Sequence, residues 1–284
     1  MSLSHPRSYN TTRNFLALAA VTLLPLTIFL ERASPARLNA CYIRRELQSP
    51  PPPLIPLRDS VLHNYSVYIM WTAMFLLALL PHARPKALFS LTYASLWFHA
   101  TYIYLAAFKA PLQDFNCAGR HKSYPNGISG HYCYFIFVAF TAARYARSRL
   151  KSNPNASPGI KAAAAALMSL FGVGGVATLY RTFFHGYHSA RQISYGASLG
   201  IFAHCVLDYI LFQEDSGFTT YLRLLFLLAN STTSLTLYFR LWPHEAAGPA
   251  ISFGNLVFHA SLWVILLVCT YYLRAAEENP AKEA

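Results

Sequence analysis

Long apolar runs bound what this chain can fold into more tightly than any motif does. They lie at Phe15–Leu30, Tyr65–Leu80, Ala87–Phe108, Tyr132–Tyr145, Ala162–Phe184, Ile193–Phe212, Phe218–Phe239 and Ile251–Leu273. A membrane-spanning helix needs about 20 mainly apolar residues. Only 12% of the 284 residues are charged and 55% are hydrophobic, whereas ordinary globular chains carry about 25% charged residues. So little charge could not cover a water-soluble surface of this length, and disorder requires the opposite composition. The expected fold is an all-α, polytopic membrane helix bundle of about eight spans, within a range of about six to eight. The fourth run is short and borrows Ile128–His131, while the seventh contains Arg223 and Asn230-Ser231-Thr232-Thr233.

The expected organisation follows from these runs. Residues 1–14 form a cytosolic N-terminal segment, 15–212 a membrane core, 213–273 two further spans and 274–284 a cytosolic tail. The first run reads as a retained span, because no small-residue cleavage site follows it and Glu31-Arg32 comes directly after. Pro50–Pro53 reads as a stiff linker. The cysteines (Cys41, Cys117, Cys133, Cys205 and Cys269) are scattered and form neither a disulfide framework nor a metal pattern.

Charge is one-sided, with 23 Lys+Arg against 11 Asp+Glu and a net +12. In a soluble chain that excess would suggest nucleic acid. In a membrane chain it fits basic loops at anionic headgroups or an anionic substrate, so no nucleic-acid partner is expected. Lys and Arg totals balance across the two membrane sides, which leaves the densest cluster to decide orientation. Arg144, Arg147, Arg149 and Lys151 adjoin the end of the fourth run and belong in the cytosol. Both termini then face the cytosol, and loops three and five face the other side.

Those two loops carry the chemistry. Loop three reads Cys117-Ala118-Gly119-Arg120-His121-Lys122-Ser123-Tyr124-Pro125-Asn126-Gly127-Ile128-Ser129-Gly130-His131. Backbone N–H groups at a helix start beside a small residue suit an anion. The Ser129 hydroxyl adds a donor, and His131 can give a proton. Loop five holds Arg181, then Tyr187-His188-Ser189-Ala190-Arg191-Gln192, then Tyr195-Gly196. His188 and Gln192 are spaced i,i+4 and are expected on one helical face. Gln192 would accept from one imidazole nitrogen and leave the other facing the site, which is how a nucleophilic or basic histidine is oriented.

Other polar residues have plainer readings. His99, His204 and His259 are expected to be hydrogen-bonded packing residues inside spans, and His63, His82 and His244 to be interfacial. His185 and His188 make an HxxH pair, but no HxxHH follows, so a di-iron centre is not expected. Haem ligation by His99 and His204 is disfavoured as well. His204 and Asp208 form a second i,i+4 pair, and because an intramembrane carboxylate is costly, Asp208 is expected either in a satisfied polar contact or, the favoured reading, near the cytosolic end. A transporter would want broken helices near mid-membrane, and only Gly172-x-Gly174-Gly175 offers that.

Ser129-Gly130-His131 followed by Arg181 and His188-x3-Gln192 resembles the second and third signature motifs of the type 2 phosphatidic acid phosphatase superfamily. Their usual form is PSGH and SR-x5-H-x3-D. Here Ile128 precedes the serine, six residues separate Arg181 from His188, and Gln192 stands for Asp. The first superfamily motif, K-x6-RP, has no match, and Arg120 and Lys122 are its nearest substitutes. Within the superfamily the chain is most similar to the fat storage-inducing transmembrane family, which carries ISGH at its fourth span. That family also has a His-x3-Gln pair between its fifth and sixth spans and a downstream Gly, as at Gly196. Arg58–Tyr65 running into Trp71 resembles the family's entry to its second span, and the similarity covers roughly residues 15–212. Dolichyl-diphosphatase-like enzymes are the rival relatives, with a third motif much like Tyr187–Gly196.

The resemblance implies an enzyme of the endoplasmic reticulum membrane, and the sidedness read from the basic cluster would make its site lumenal. Its substrate would be fatty acyl-CoA, cleaved at the phosphoanhydride in support of lipid balance and lipid-droplet formation. His188 would be the nucleophile, oriented by Gln192, and His131 the general acid and then base. Ser129, Gly130 and Arg181 would hold phosphoryl oxygens, with Arg120 and Lys122 on the remaining phosphates. No metal or cofactor is implied. A lipid phosphate phosphatase, a phosphotransferase related to sphingolipid synthases and a non-catalytic lipid-binding protein are the alternatives.

Overall fold

A computed structural model describes residues 14–15, 17–19, 84–109, 127–152, 157–179, 188, 190–212, 220–241 and 253–278. Its elements are α1 (Arg84–Lys109), α2 (Gly130–Ser152), α3 (Pro158–Leu179), α4 (Ala190–Leu207), α5 (Thr220–Leu241) and α6 (Phe253–Glu278). A π-helical stretch, Asp208–Phe212, continues α4. No strand occurs among the described residues, so the described chain is all-helical. The described part of each of the third to eighth apolar runs lies in one of these helices or in the π-helical stretch. Most of the first two runs lies outside the described residues.

By length and composition, the described helical segments Arg191–Leu211 and Leu256–Leu273 are apolar enough to cross a membrane. The second turns much of its apolar surface outward, with Val257, Val264, Leu267 and Val268 exposed. A large exposed apolar face of this kind needs a non-aqueous neighbour or a partner, which is compatible with a membrane protein. Helix α2 outruns the apolar stretch Tyr132–Tyr145 because Ala142–Lys151 is built of good helix formers. Its basic end also complements the negative pole of the helix dipole.

The described helices fall into two compact units, α2, α3 and α4 in one and α1, α5 and α6 in the other. In the first, α2 and α4 make a long seam. Partners ascend together along both helices: Ser129 with Gln192, Cys133 beside Gly200, Thr141 with His204, and Arg144 with Asp208. The two helices therefore run parallel. His204 lies against Thr141 Oγ1 at 3.2 Å and stacks on Phe140, as a packing histidine should.

Asp208 is held in a polar contact, one of the two places open to it from the sequence. It is 1% exposed and takes Arg144 Nε on Oδ1 at 2.9 Å. Arg144, counted from sequence among loop charges, is thus the internal partner that makes a buried carboxylate tolerable. Arg144→Leu should lower stability by about 3–5 kcal/mol, because it strands a buried charge. Arg144→Leu with Asp208→Leu should recover most of that loss, as read from melting in detergent. A double variant no more stable than the single would deny the pairing.

The second unit has its own polar seam. Tyr93 donates to Arg223 O at 3.0 Å, the Trp97 and Phe226 rings lie 5.5 Å apart, and Tyr104 donates to Asn230 O at 3.1 Å. These contacts also ascend together, so α1 and α5 are parallel. Trp263 donates to Ser231 Oγ at 3.1 Å, joining α6 to α5. His99 and His259 meet Nδ1 to Nδ1 at 3.0 Å and both are buried, which agrees with their reading as packing residues.

Candidate active site

The seam between α2 and α4 begins at the two histidine motifs. Ser129 directly precedes α2, and its side-chain oxygen lies 3.5 Å from the Tyr132 N–H in the helix N-cap arrangement. Its carbonyl accepts from Cys133 N at 3.2 Å. Its own N–H donates across to Gln192 O on α4 at 2.9 Å. That last bond matters most, because it holds the start of α2 directly against the start of α4. Residues 63 apart in sequence are joined there by backbone alone.

His188 sits in a bend two residues before α4 and not on its face, which corrects the simple i,i+4 picture. The pairing with Gln192 is nevertheless made. Gln192 occupies the third position of α4 and reaches back, placing Oε1 2.8 Å from His188 Nδ1. An amide oxygen can only accept, so Nδ1 carries the proton and the lone pair resides on Nε2. His188 is 6% exposed and Gln192 is fully buried. The ring is therefore held in one tautomer in a position shielded from water.

Ser129 and Gly130 are buried at the same junction, while His131, in the first turn of α2, is exposed. The structure thus brings Ser129, Gly130, Gln192 and His188 to one place and sets His131 on the adjoining turn. Arg120, Lys122 and Arg181 lie outside the described residues, as does His185. Because α2 and α4 are parallel and start side by side, the positive ends of both dipoles and their unbonded N–H groups face the same way. Among the described residues no group of three His, Cys, Asp or Glu side chains gathers as a metal cluster would. Among the described residues, Cys133, Cys205 and Cys269 form no disulfide.

The sequence singled out Gly196 as a motif match but did not disclose that Gly196 and Gly200 line the seam. Gly196 and Gly200 follow Gln192 at steps of four and lie directly against α2. A small-x3-small pattern inside an apolar run is the signal that would have found them. Searches against protein families, characterised proteins and solved structures find nothing that matches the chain.

Proposed function

We propose that this chain is a polytopic membrane hydrolase that cleaves a phosphoanhydride of a lipid-linked substrate, fatty acyl-CoA foremost, through a phosphohistidine. The observation that carries the reading is the buried His188–Gln192 pair, tied by the Ser129 N–H···O=C Gln192 bond to the start of α2. A proton on Nδ1 leaves Nε2 as the nucleophile. Two helix starts supply donors and positive potential where a phosphoryl group would sit. The motif resemblance supplies the substrate class.

In the proposed reaction His188 Nε2 attacks phosphorus, and the bond from phosphorus to the bridging oxygen breaks. His131 protonates the departing oxygen. The same His131 then takes a proton from water, whose oxygen displaces Nε2 and frees the phosphorylated product. Exposure of His131 suits the second step, since water must reach it. Ser129 keeps its hydroxyl proton for a phosphoryl oxygen, and the Gly130 amide and Arg181 would hold the others. Donors placed where charge develops usually provide the largest share of catalysis. Arg120 and Lys122 would hold the further phosphates of acyl-CoA.

The polytopic reading has independent support from chain direction. A chain crossing a layer reverses direction with each helix, so helices separated by an odd number of others run parallel. Both parallel pairs, α2 with α4 and α1 with α5, obey that rule. With Arg144 engaged by Asp208, the remaining cations Arg147, Arg149 and Lys151 still favour the cytosol, and the helix starts of the site would then face the lumen of the endoplasmic reticulum. A single cysteine at Ser123 should resist an impermeant thiol reagent from the cytosol and react once the lumen is opened. Cytosolic labelling would invert the orientation.

The deciding experiment offers purified protein acyl-CoA, phosphatidate and isoprenyl diphosphate side by side. Acyl phosphopantetheine and adenosine bisphosphate from acyl-CoA are the expected products. Preference for isoprenyl diphosphate would move the assignment to the dolichyl-diphosphatase-like reading. Inertness toward all of them, with intact fold, would leave a lipid-binding protein.

A further inference from the structure

The junction of the two motifs depends on a side chain that is missing. A Cβ at Gly196 would overlap the Ser129 carbonyl oxygen and lie 3.2 Å from both the Ser129 carbonyl carbon and Tyr132 Cβ. At Gly200 it would lie 2.5 Å from the Cys133 carbonyl oxygen and 3.2 Å from Cys133 Cα. Both obstacles are backbone, so no rotamer change on α2 relieves them. Gly175 differs, because its added Cβ would meet only the Phe135 ring, at 2.8 Å, and a ring can turn aside. Gly172 has nothing within 4 Å.

We propose that Gly196 is a positioning residue for His188. Its bare Cα lets the turn before α2 settle onto α4, so that the Ser129 N–H reaches Gln192 O. That bond steadies the first turn of α4, from which Gln192 fixes the imidazole. Gly200 permits the same closeness of backbones one turn further on, where no motif residue is touched. The kinetic side of the proposal rests on the hydrolase reading, whereas the geometric side stands without it.

Gly196 and Gly200 therefore allow two similar steric insults to be compared, one at the junction and one beyond it. Displacing a catalytic group by about 1 Å can cost about 10²-fold in rate. Gly196→Ala should accordingly reduce kcat by about 10²-fold while KM stays within about three-fold. Gly200→Ala should lower thermal stability yet keep kcat per folded molecule within about three-fold of wild type, because the reacting groups are undisturbed. Gly172→Ala should keep wild-type kcat and be no less stable than wild type.

A second measurement needs no turnover. Diethylpyrocarbonate modification of His188, followed on its peptide by mass spectrometry in the full-length protein, should be slow in wild type, where the ring is buried and its Nδ1 engaged. It should speed up several-fold in Gly196→Ala and stay unchanged in Gly200→Ala and Gly172→Ala. Should Gly196→Ala fail to accumulate, Ser129→Pro removes the N–H to Gln192 O without adding a Cβ to α4, and His188 reactivity should rise there too. Unchanged reactivity in the junction variants, or an equal rise in Gly200→Ala, would overturn the proposal. A wild type inert toward every substrate would remove the hydrolase reading, and His188 reactivity would still decide the positioning.

Discussion

Purified His188→Ala is expected to lose hydrolysis of acyl-CoA by about 10³-fold or more, since removal of a nucleophile leaves only the contribution of binding and charge stabilisation. Of the side chains described at the junction, His188 is the imidazole held in one tautomer by a buried partner, and His131 is assigned to the acid and base steps. Truncation also deprives the buried Gln192 Oε1 of its partner, at a cost of about 1–3 kcal/mol in stability. Activity must therefore be expressed per folded molecule, with melting recorded alongside. Rapid quenching in base should trap a peptide in which His188 carries the substituted phosphoryl group of the substrate in wild type, and none in the variant. Retention of more than about a tenth of the activity would remove the covalent mechanism.

Gln192→Ala should produce the second largest effect. The amide oxygen at 2.8 Å fixes both the tautomer and the ring plane of His188. An orienting partner of this type typically governs kcat more than substrate affinity. We expect kcat to drop by about 10²-fold or more with KM little changed, and Gln192→Asp to keep part of the activity, because a carboxylate also accepts from Nδ1. A wild-type kcat in Gln192→Ala would reduce the pair to a local contact that closes the start of α4.

Helix positions were legible in the sequence because apolar runs are local and their length is set by geometry. The described part of each of the third to eighth runs is helical, and the polar interruptions at Asn230–Thr233 did not break α5. Hydroxyls there bond back to carbonyls one turn earlier, as Thr232 does to Leu228 O and Thr233 to Ala229 O. The partnership of His188 and Gln192 was readable too, since they stand four positions apart in the sequence. Its geometry was not, because spacing alone could not say that α4 starts after His188. Long-range partners stayed hidden for a different reason. Nothing in a run such as Ile193–Phe212 names Arg144 as the mate of Asp208, or shows that Gly196 faces a carbonyl belonging to Ser129. Those facts come from how α2 lies on α4.

The contact between His99 and His259 has a consequence for hydrogen counting. Two imidazoles that meet Nδ1 to Nδ1 at 3.0 Å have room for a single hydrogen between them. In the neutral pair one ring must then bear its hydrogen on Nδ1 and the other on Nε2. Two residues that look alike in the sequence are thus different chemical species, and nitrogen-15 spectra of the rings should give unlike signatures. Replacement is correspondingly selective. Asparagine presents its amide near the place of Nδ1 and can preserve the link from either side, whereas glutamine reaches toward the place of Nε2 and breaks it.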